Sequence, residues 1–120
     1  RHGAGLVRAF AAASVPRVTV VLRKAYGGGY ITMNSKDLGA SHTIAWTGAE
    51  IGVMGAVAAV KLLHRRELAA AGHSPALLER LADEYAARHI SAGRALRDGT
   101  IDAVIPPTET RARVAEALSL

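Results

Sequence analysis

The sequence has no cysteine, few aromatic residues and no long apolar run, and each absence excludes a class of protein. Without cysteine there is no disulfide framework, no thiolate zinc site and no thiol nucleophile. Aromatic residues make up only 4% of the chain, so the stacking platforms that bind single-stranded nucleic acid are missing. No apolar run approaches the roughly 20 residues of a membrane-spanning helix. We therefore expect neither nucleic acid nor a membrane as a partner.

The apolar content is high and the charge is basic. Half of the 120 residues are apolar, enough for the core of one domain, and the formal net charge is +5 at pH 7 with His neutral. The basic residues are dispersed, with local pairs at Arg23-Lys24 and Arg65-Arg66, which favours a phosphorylated small ligand over nucleic acid. The sequence begins at Arg1 without a signal-peptide pattern. We expect a cytoplasmic protein that is a piece of a longer chain.

Three consecutive glycines, Gly27–Gly29, separate a predicted strand from a predicted helix. The apolar run Val18–Leu22 is typical of a buried strand, and Tyr30–Ser35 leads into a helical pattern. Backbone N–H groups at such a helix start have no intrahelical acceptor, and the helix dipole adds partial positive charge. The arrangement suits an anion, or an oxygen that becomes anionic during a reaction. The alternative is a plain glycine turn that binds nothing.

The rest of the pattern alternates helices with short strands, which indicates an α/β layer fold. Further strands are predicted at His42–Trp46, Glu50–Met54 and Ile101–Ile105. Further helices are predicted at Arg1–Ser14, Ala56–Ala70, Ala76–His89, Ser91–Arg97 and after the capping residue Thr108. The strands are too short for a self-contained sheet, so we expect the other members of the sheet to lie elsewhere.

The helix predicted at Ala76–His89 has a strong start signal and an apolar face. Ser74 suits the N-cap position and Pro75 the first helical position. The apolar side chains at helical spacing are Leu77, Leu78, Leu81 and Tyr85. This stripe predicts either a core-facing surface or a contact surface for another subunit.

The chain resembles the C-terminal part of the carboxyltransferase β subunit of biotin-dependent acyl-CoA carboxylases, the propionyl-CoA and acetyl-CoA group. The matching segments are Arg1–Lys36, Ala45–Leu68 and Asp98–Leu118, and RKAYGGGY followed by AWTGAEIGVMGA is the most specific combination. The resemblance implies a crotonase-like α/β fold of ββα units, with residues 1–120 as a portion of the C-terminal domain. It also implies an active site between two subunits, so the chain alone would be an incomplete catalyst.

The resemblance implies that a carboxyl group moves from carboxybiotin to the α-carbon of a short-chain acyl-CoA. One oxygen on biotin and one on the thioester then carry negative charge and need backbone N–H donors. The family's oxyanion pair, usually Gly-Ala, falls on Gly28 and Gly29, and Gly27 belongs to the same biotin-binding turn. Gly29 replaces the usual Ala, which leaves the N–H donor in place. Gly55 and Ala56 would complete the biotin side, or else pack a helix closely on a strand.

Tyr30 and Ile31 follow the glycines at positions that resemble the wall of the acyl pocket. Subunits that resemble propionyl-specific ones often have Asp at the second position. Ile31 makes the wall more apolar, which predicts tolerance for acyl chains other than propionyl. For Arg23 and Lys24 the sequence predicts either a contact with an acyl-CoA carboxylate or phosphate, or a solvated strand edge.

The resemblance implies biotin on a carrier subunit as cofactor, acyl-CoA as substrate, and a biotin carboxylase as partner. Other β subunits are expected as well, in dimers that assemble into a hexamer as a trimer of dimers. No metal is expected, because the five histidines lack ligand-like spacing. Two alternatives use the same residues. One is the carboxyltransferase subunit of a biotin-dependent acyl-CoA decarboxylase, and the other is a non-catalytic, truncated domain that only packs against a partner.

Overall fold

The computed structural model describes residues 2–119. Helix α1 (His2–Ala12) comes first and ends before Pro16, in agreement with the prediction, because the residue before a proline avoids the helical region. Arg1, the first residue of the predicted helix, lies outside the described residues. No residue of α1 is buried against the rest of the described chain.

Two parallel sheets form the centre of the described chain. The strands are β1 (Val18–Val21), β2 (Lys24–Tyr26), β3 (His42–Trp46), β4 (Glu50–Gly52) and β5 (Ala103–Ile105). The first sheet has the order β1-β3-β5, and the second consists of β2 and β4. Val20 pairs with Ile44, and Ile44 pairs with Ala103. Ile44 is fully buried, as expected for the central strand of a parallel sheet that is covered on both faces.

Strand β2 was not predicted from the sequence, which placed the end of the strand at Arg23-Lys24. The pair instead marks the point where the chain leaves the first sheet and enters the second. Lys24 pairs with Glu50 and is exposed. A lysine is well tolerated there because an edge strand of a two-stranded sheet keeps one side open to solvent.

The chain repeats one structural unit: a strand of the first sheet, a strand of the second sheet, then a helix. The first copy is β1, β2 and helix α2 (Gly27–Thr32), and the second is β3, β4 and helix α3 (Ala56–Leu63). This is the ββα arrangement that the resemblance implied. Because both sheets are parallel, α2 and α3 both begin beyond the carboxyl end of the second sheet.

The second half of the chain is mainly helical. The helices are α4 (Arg65–Ala70), α5 (Pro75–Tyr85), α6 (Ala92–Arg97) and α7 (Thr110–Leu118), with a π-helical turn at Ala86–Ile90. The single helix predicted at Ala56–Ala70 is wrong, since the backbone breaks at His64 (φ −111°, ψ 29°). The predicted cap of α5 is confirmed, because Ser74 Oγ accepts a hydrogen bond from the Leu77 N–H at 3.3 Å.

The apolar stripe of α5 faces the interior of the described chain. It packs with Val60 of α3 and Leu68 of α4 in one cluster that also contains Leu77, Leu78, Leu81 and Tyr85. This supports the core interpretation of the stripe over the oligomer surface. A second cluster lies between the two sheets and α6, and includes Val21, Ala45, Ile51, Ala95 and Ile101.

The predicted capping role of Thr108 is wrong. Thr108 lies inside a 3₁₀ turn, Pro107–Glu109, and α7 begins at Thr110 without a side-chain cap. The Thr110 hydroxyl donates to the Pro107 carbonyl at 2.7 Å and accepts from Trp46 Nε1 at 2.8 Å. Pro107, the second proline of the pair, opens a 3₁₀ turn first, so α7 begins one residue later than predicted.

Candidate functional site

The two helix starts of the ββα units lie side by side. Tyr26 ends β2 and pairs in register with Gly52, which ends β4. Helix α2 begins directly after Tyr26, and α3 begins at Ala56 with Gly55 in the N-cap position. A Cβ atom at Gly55 would lie 3.4 Å from Cε2 of the Tyr26 ring. The structure therefore brings together the two glycine segments that the sequence assigned to the biotin side.

The three glycines Gly27–Gly29 form the first turn of α2. The sequence prediction placed them in a turn ahead of a helix that begins at Tyr30, so that boundary was wrong. The observed start suits an anion site better than the predicted one, because residues in the first turn of a helix have N–H groups without intrahelical acceptors. The N-cap residue, Tyr26, makes no side-chain capping bond to them.

The glycines of this turn differ in what surrounds them. Gly27 has φ +60°, and a Cβ atom there would lie 3.2 Å from the Val53 carbonyl oxygen. Glycine is required at this position because L side chains rarely adopt that backbone conformation. At Gly28 and Gly29 a Cβ atom would meet nothing within 4 Å. Their backbone is open to approach by a ligand.

Gly29 and Tyr30 border a groove of about 820 Å³. Its other walls are the run Thr19–Tyr26 and Met33. Arg23 and Lys24 belong to this wall, are exposed, and form no ion pair among residues 2–119. Both cations therefore lie beside the start of α2. Their positions are compatible with both predicted alternatives, a contact with an acyl-CoA carboxylate or phosphate and a solvated strand edge.

Ile31 lies on a different wall from Gly29. With Gly27 and Tyr30 it lines a smaller cavity of about 290 Å³, whose other apolar members include Ile51 and Val53. Ile31 is 48% exposed. Of the residues assigned to the two subsites, Tyr30 alone borders both the groove and this cavity. Gly29 and Ile31 thus face two separate spaces, although Gly27, which was predicted to bind biotin, lines the same cavity as Ile31.

The Tyr30 hydroxyl is buried and has no hydrogen-bond partner among the described residues. Burial is the largest cause of a raised pKa for this phenol, and the carboxylates of Asp37 and Asp102 raise the pKa further. The neutral, protonated hydroxyl is therefore the form at physiological pH. It retains an unused donor between the two spaces.

Tyr26 and Glu50 form a contact that the sequence analysis missed. The Tyr26 hydroxyl donates a hydrogen bond to Glu50 Oε2. Burial, this hydrogen bond and the negative charge of Glu50 together raise the pKa of Tyr26 to about 12. The two residues are 24 positions apart, and pairing of β2 with β4 brings them together. No local sequence signal points to such a contact.

Asp102 anchors the segment that follows α2. It accepts a hydrogen bond from the Thr43 N–H at 2.8 Å, and Lys36 Nζ lies 3.0 Å from its other oxygen. His42 Nδ1 lies 3.7 Å away. Burial alone would raise the pKa of Asp102, but the Thr43 N–H, Lys36 and His42 together lower it below its ordinary value. Asp102 was also missed in the sequence, because its partners come from two other segments.

Arg17 ties the same segment to the start of β1. Its guanidinium donates to Asn34 Oδ1 at 3.0 Å and to the Gly39 carbonyl at 2.8 Å. Asn34, at φ +63°, lies just beyond α2. The segment that follows α2 is therefore fixed to the first sheet by polar contacts.

Within residues 2–119 we find no group of three or more His, Asp or Glu side chains placed to hold a metal ion. Over the same range no helix has both the length and the apolar character required to cross a bilayer.

The carboxyl transferase domain family matches residues 1–120. The chain is 49% identical to the beta6 subunit of the biotin-dependent acetyl-/propionyl-coenzyme A carboxylase of Mycobacterium tuberculosis, over 99% of this chain and 26% of that subunit. It is 43% identical to the methylmalonyl-CoA carboxyltransferase 12S subunit of Propionibacterium freudenreichii, over 100% of this chain and 23% of that subunit. The chain therefore belongs to the carboxyl transferase domain family.

Comparison with solved structures gives the same family. A crystal structure of the transcarboxylase 12S hexamer, with methylmalonyl-coenzyme A and methylmalonic acid bound, is similar with a TM-score of 0.88 and 43% identity. The match covers 98% of this chain and 23% of that one. This confirms the predicted crotonase-like α/β fold, present in part. The chain spans about a quarter of the length of the relatives that it matches.

Proposed function

We propose that this chain forms part of a carboxyltransferase site that moves a carboxyl group from biotin to the α-carbon of a short-chain acyl-CoA. The observation that carries the proposal is the pair of adjacent helix starts, with unobstructed backbone at Gly28 and Gly29. Family membership supplies the reaction class, and the geometry supplies donors of the kind that the reaction needs.

The residues of the α2 start fit a carboxylated or anionic biotin head group. Biotin, when bound, supplies the carboxyl group and then accepts the proton of the acyl α-carbon. The Gly28 and Gly29 N–H groups would donate to the ureido oxygen, which gains negative charge when the carboxyl group leaves. Gly27 lets the chain turn into the helix at this point, since its φ of +60° suits glycine.

Preorganised donors are effective because they need no reorientation as charge develops, and each is worth about 10²–10³ in rate in other enzymes. The dipole of α2 adds to this effect at its first turn. Gly55 and Ala56, in the neighbouring helix start, border a separate space of about 310 Å³ together with Tyr26 and Glu50. We assign Gly55 and Ala56 to the far wall of the biotin side.

We assign Tyr30 and Ile31 to the acyl side. Ile31, Ile51 and Val53 form an apolar wall of the cavity, whose lining also includes the polar side chains of Asp37, His89 and Asp98. An apolar wall does not select for a particular short chain by hydrogen bonding, and one methylene is worth only about 10–200-fold in discrimination. The proposal therefore includes acceptance of acetyl- and butyryl-CoA besides propionyl-CoA.

The proposed partners are a biotinylated carrier, the biotin carboxylase that loads it, and further carboxyltransferase subunits. The similar 12S transcarboxylase forms a hexamer, and we propose the same assembly, a trimer of dimers, for the subunit to which this chain contributes. The cytoplasmic location expected from the sequence stays a prediction.

The test uses a chimeric subunit, in which this chain replaces the matching quarter of the Propionibacterium freudenreichii 12S subunit. Carboxylated biotin carrier is supplied with acetyl-, propionyl- or butyryl-CoA, and the carboxylated product is measured. We expect product from the chimera and none from the 120-residue chain alone. A folded hexameric chimera that forms no product with any of the three would contradict the proposal.

The acyl assignment has its own control in the same chimera. Ile31→Asp introduces the residue common in propionyl-specific relatives, at a position that is half exposed and therefore tolerant of the change. We expect Ile31→Asp to change the ranking of the three substrates. Strict propionyl-CoA preference with Ile31 in place would show that the assignment is wrong.

A further inference from the structure

Tyr26 touches both helix starts of the proposed site. It is the last residue of β2 and the N-cap residue of α2, with an extended backbone (φ −124°, ψ 137°). Its ring lies against Gly55, the N-cap residue of α3, where a Cβ atom would come within 3.4 Å of Cε2. Its backbone thus sets where α2 begins, while its ring sets how closely α3 approaches.

Glu50 holds that ring in place. The Tyr26 hydroxyl donates to Glu50 Oε2, and the backbone of Glu50 is itself fixed on both sides. The Glu50 N–H donates to the Arg23 carbonyl at 2.7 Å, and Glu50 also forms an isolated antiparallel bridge with Ser91. The carboxylate that accepts the Tyr26 bond therefore extends from a backbone that is held in place, and the bond keeps the ring against Gly55.

Proton transfer does not fit this tyrosine. A phenol whose proton is shared with a carboxylate is a weaker acid than usual, as the pKa of about 12 reflects. A general acid or base works best with a pKa near the working pH. The hydroxyl is also directed at Glu50 and not at the open backbone of Gly28 and Gly29. The contacts of Tyr26 therefore favour a role in positioning the backbone around it.

We infer that Tyr26, held by Glu50, is a positioning residue that sets the gap between the two helix starts, Gly27–Gly29 and Gly55–Ala56. The inference rests on the proposed carboxyl transfer, in which both segments face the biotin side. Donors help only when they are held within a fraction of an ångström of the charged oxygen, and small misplacements are costly in rate. Loss of the Tyr26–Glu50 bond would loosen the gap without removing any donor.

The activity test compares variants in the chimeric subunit. Tyr26→Phe keeps the ring but loses the hydrogen bond, and Glu50→Ala loses the acceptor. Both are expected to lower kcat about tenfold while KM for acyl-CoA stays within about twofold. The double variant is expected to be no worse than either single one, since both remove the same bond.

Two controls complete the comparison. Glu50→Gln keeps an acceptor oxygen and is expected to restore most of kcat. Tyr85→Phe is the matched tyrosine control, because Tyr85 is not among the residues assigned to the site and its hydroxyl makes no hydrogen bond to the rest of residues 2–119, although its ring packs on the helical cluster that Ala56 also contacts. It is expected to leave kcat unchanged. A Tyr26→Phe subunit with unaltered kcat, or additive effects in the double variant, would overturn the inference.

A second readout separates this inference from the proposed function. Absorbance of the phenolate is titrated in the folded chimeric subunit, and the curve of the Tyr26→Phe chimera is subtracted. The difference is expected to titrate near pH 12 and at lower pH in Glu50→Gln, which removes the negative charge but not the burial. A difference curve near pH 10, the ordinary value, means that the bond is absent and overturns the inference.

Amide hydrogen exchange decides the case in which the unmodified chimera transfers no carboxyl group. That result would contradict the proposed function but would not test the positioning role of Tyr26. Tyr26→Phe is still expected to accelerate exchange at hydrogen-bonded N–H groups next to the two helix starts, those of Met33 (bonded to the Tyr30 carbonyl) and Ala59 (bonded to the Gly55 carbonyl), and to leave the N–H groups of β3 unchanged. Exchange that is unaltered at both helix starts would overturn the positioning role as well.

Discussion

The two helix starts have the same sequence signal, glycine after a strand, for different physical reasons. At the start of α2, Gly27 has a positive φ, and Gly28 and Gly29 have open space where a side chain would be. At the start of α3, Gly55 has an ordinary φ of −64°, but its Cα lies against the Tyr26 ring. Glycine is needed for conformation at the first start, whereas at the second an added Cβ would be in ordinary van der Waals contact with a ring. The packing role of Gly55 stays a prediction.

The largest effect is expected from Gly28→Val. The added methyl groups have room in the described chain, so the free energy of unfolding is expected to change by less than about 0.5 kcal/mol. They would stand where the proposed ureido oxygen approaches, so we expect kcat/KM of the chimera to fall at least about 100-fold. Gly29→Ala is the control, and it should retain activity because Ala is usual there in the family. Full activity of Gly28→Val would remove the access argument.

Gly27→Ala tests the conformational argument. An L side chain at φ +60° is disfavoured by about 1–2 kcal/mol, and the new Cβ would lie 3.2 Å from the Val53 oxygen. We expect a loss of that size in denaturant unfolding of the chain. Gly28→Ala makes the same chemical change one residue later, where the space is open and φ is not positive. Equal losses for the two variants would mean that φ at residue 27 is not the reason.

Gly55→Ala tests the packing argument and should be milder. Its Cβ would lie 3.4 Å from Cε2 and 3.7 Å from Cζ of Tyr26, contacts that a small shift of the ring relieves. We expect a loss in stability below about 1 kcal/mol. The loss should disappear in a Tyr26→Ala background, since the opposing ring is then gone. An identical loss in both backgrounds would show that the ring is not the constraint.

The smallest effect is expected on the stability of the fold at acidic pH, and it should differ between the starts of α2 and α3. The pKa of Asp102 is lower in the folded chain than its ordinary value of 3.8, so its contribution to stability is present above that pH. It is lost as the pH falls through the lowered pKa. Asp102→Asn is expected to flatten the dependence of unfolding free energy on pH below about 4.

The stability that Asp102 contributes should be lost locally, near α2, as well as in a pH-dependent way. Asp102 holds Lys36 and Thr43, on the α2 side of the molecule, so acid should lower the protection of amides, relative to their intrinsic exchange rate, after α2 before it does so at α3. Glu79→Gln, on the exposed face of α5, is the matched carboxylate control. An equal change in pH dependence for both variants would assign the effect to net charge.

The elements predicted well are those that local signals determine. His42–Trp46 was found with the predicted bounds, and Ser74 with Pro75 marks the start of α5 as expected. An alternation of β-branched residues or a cap is decided within a few residues. The resemblance to carboxyltransferase subunits supplied the ββα architecture, which these local signals alone do not.

The features missed depend on residues far apart in the chain. Strand β2 exists because β4 lies beside it, and the bonds of Tyr26 to Glu50 and of Asp102 to Thr43 span 24 and 59 positions. The break between α3 and α4 at His64 could not be predicted, because no glycine or proline lies at that position. For the site, the sequence indicated which glycines matter, but not that Gly29 and Ile31 face two different spaces.

The parallel pairing of β2 with β4 fixes a distance as well as a topology. Neighbouring strands lie about 4.8 Å apart, so each ββα unit displaces its helix start from that of the preceding unit by roughly one strand spacing. A longer run of such units would place amide-bearing helix starts at a regular pitch along one edge. The residues at each helix start can then change in evolution while the distance between neighbouring helix starts stays constant.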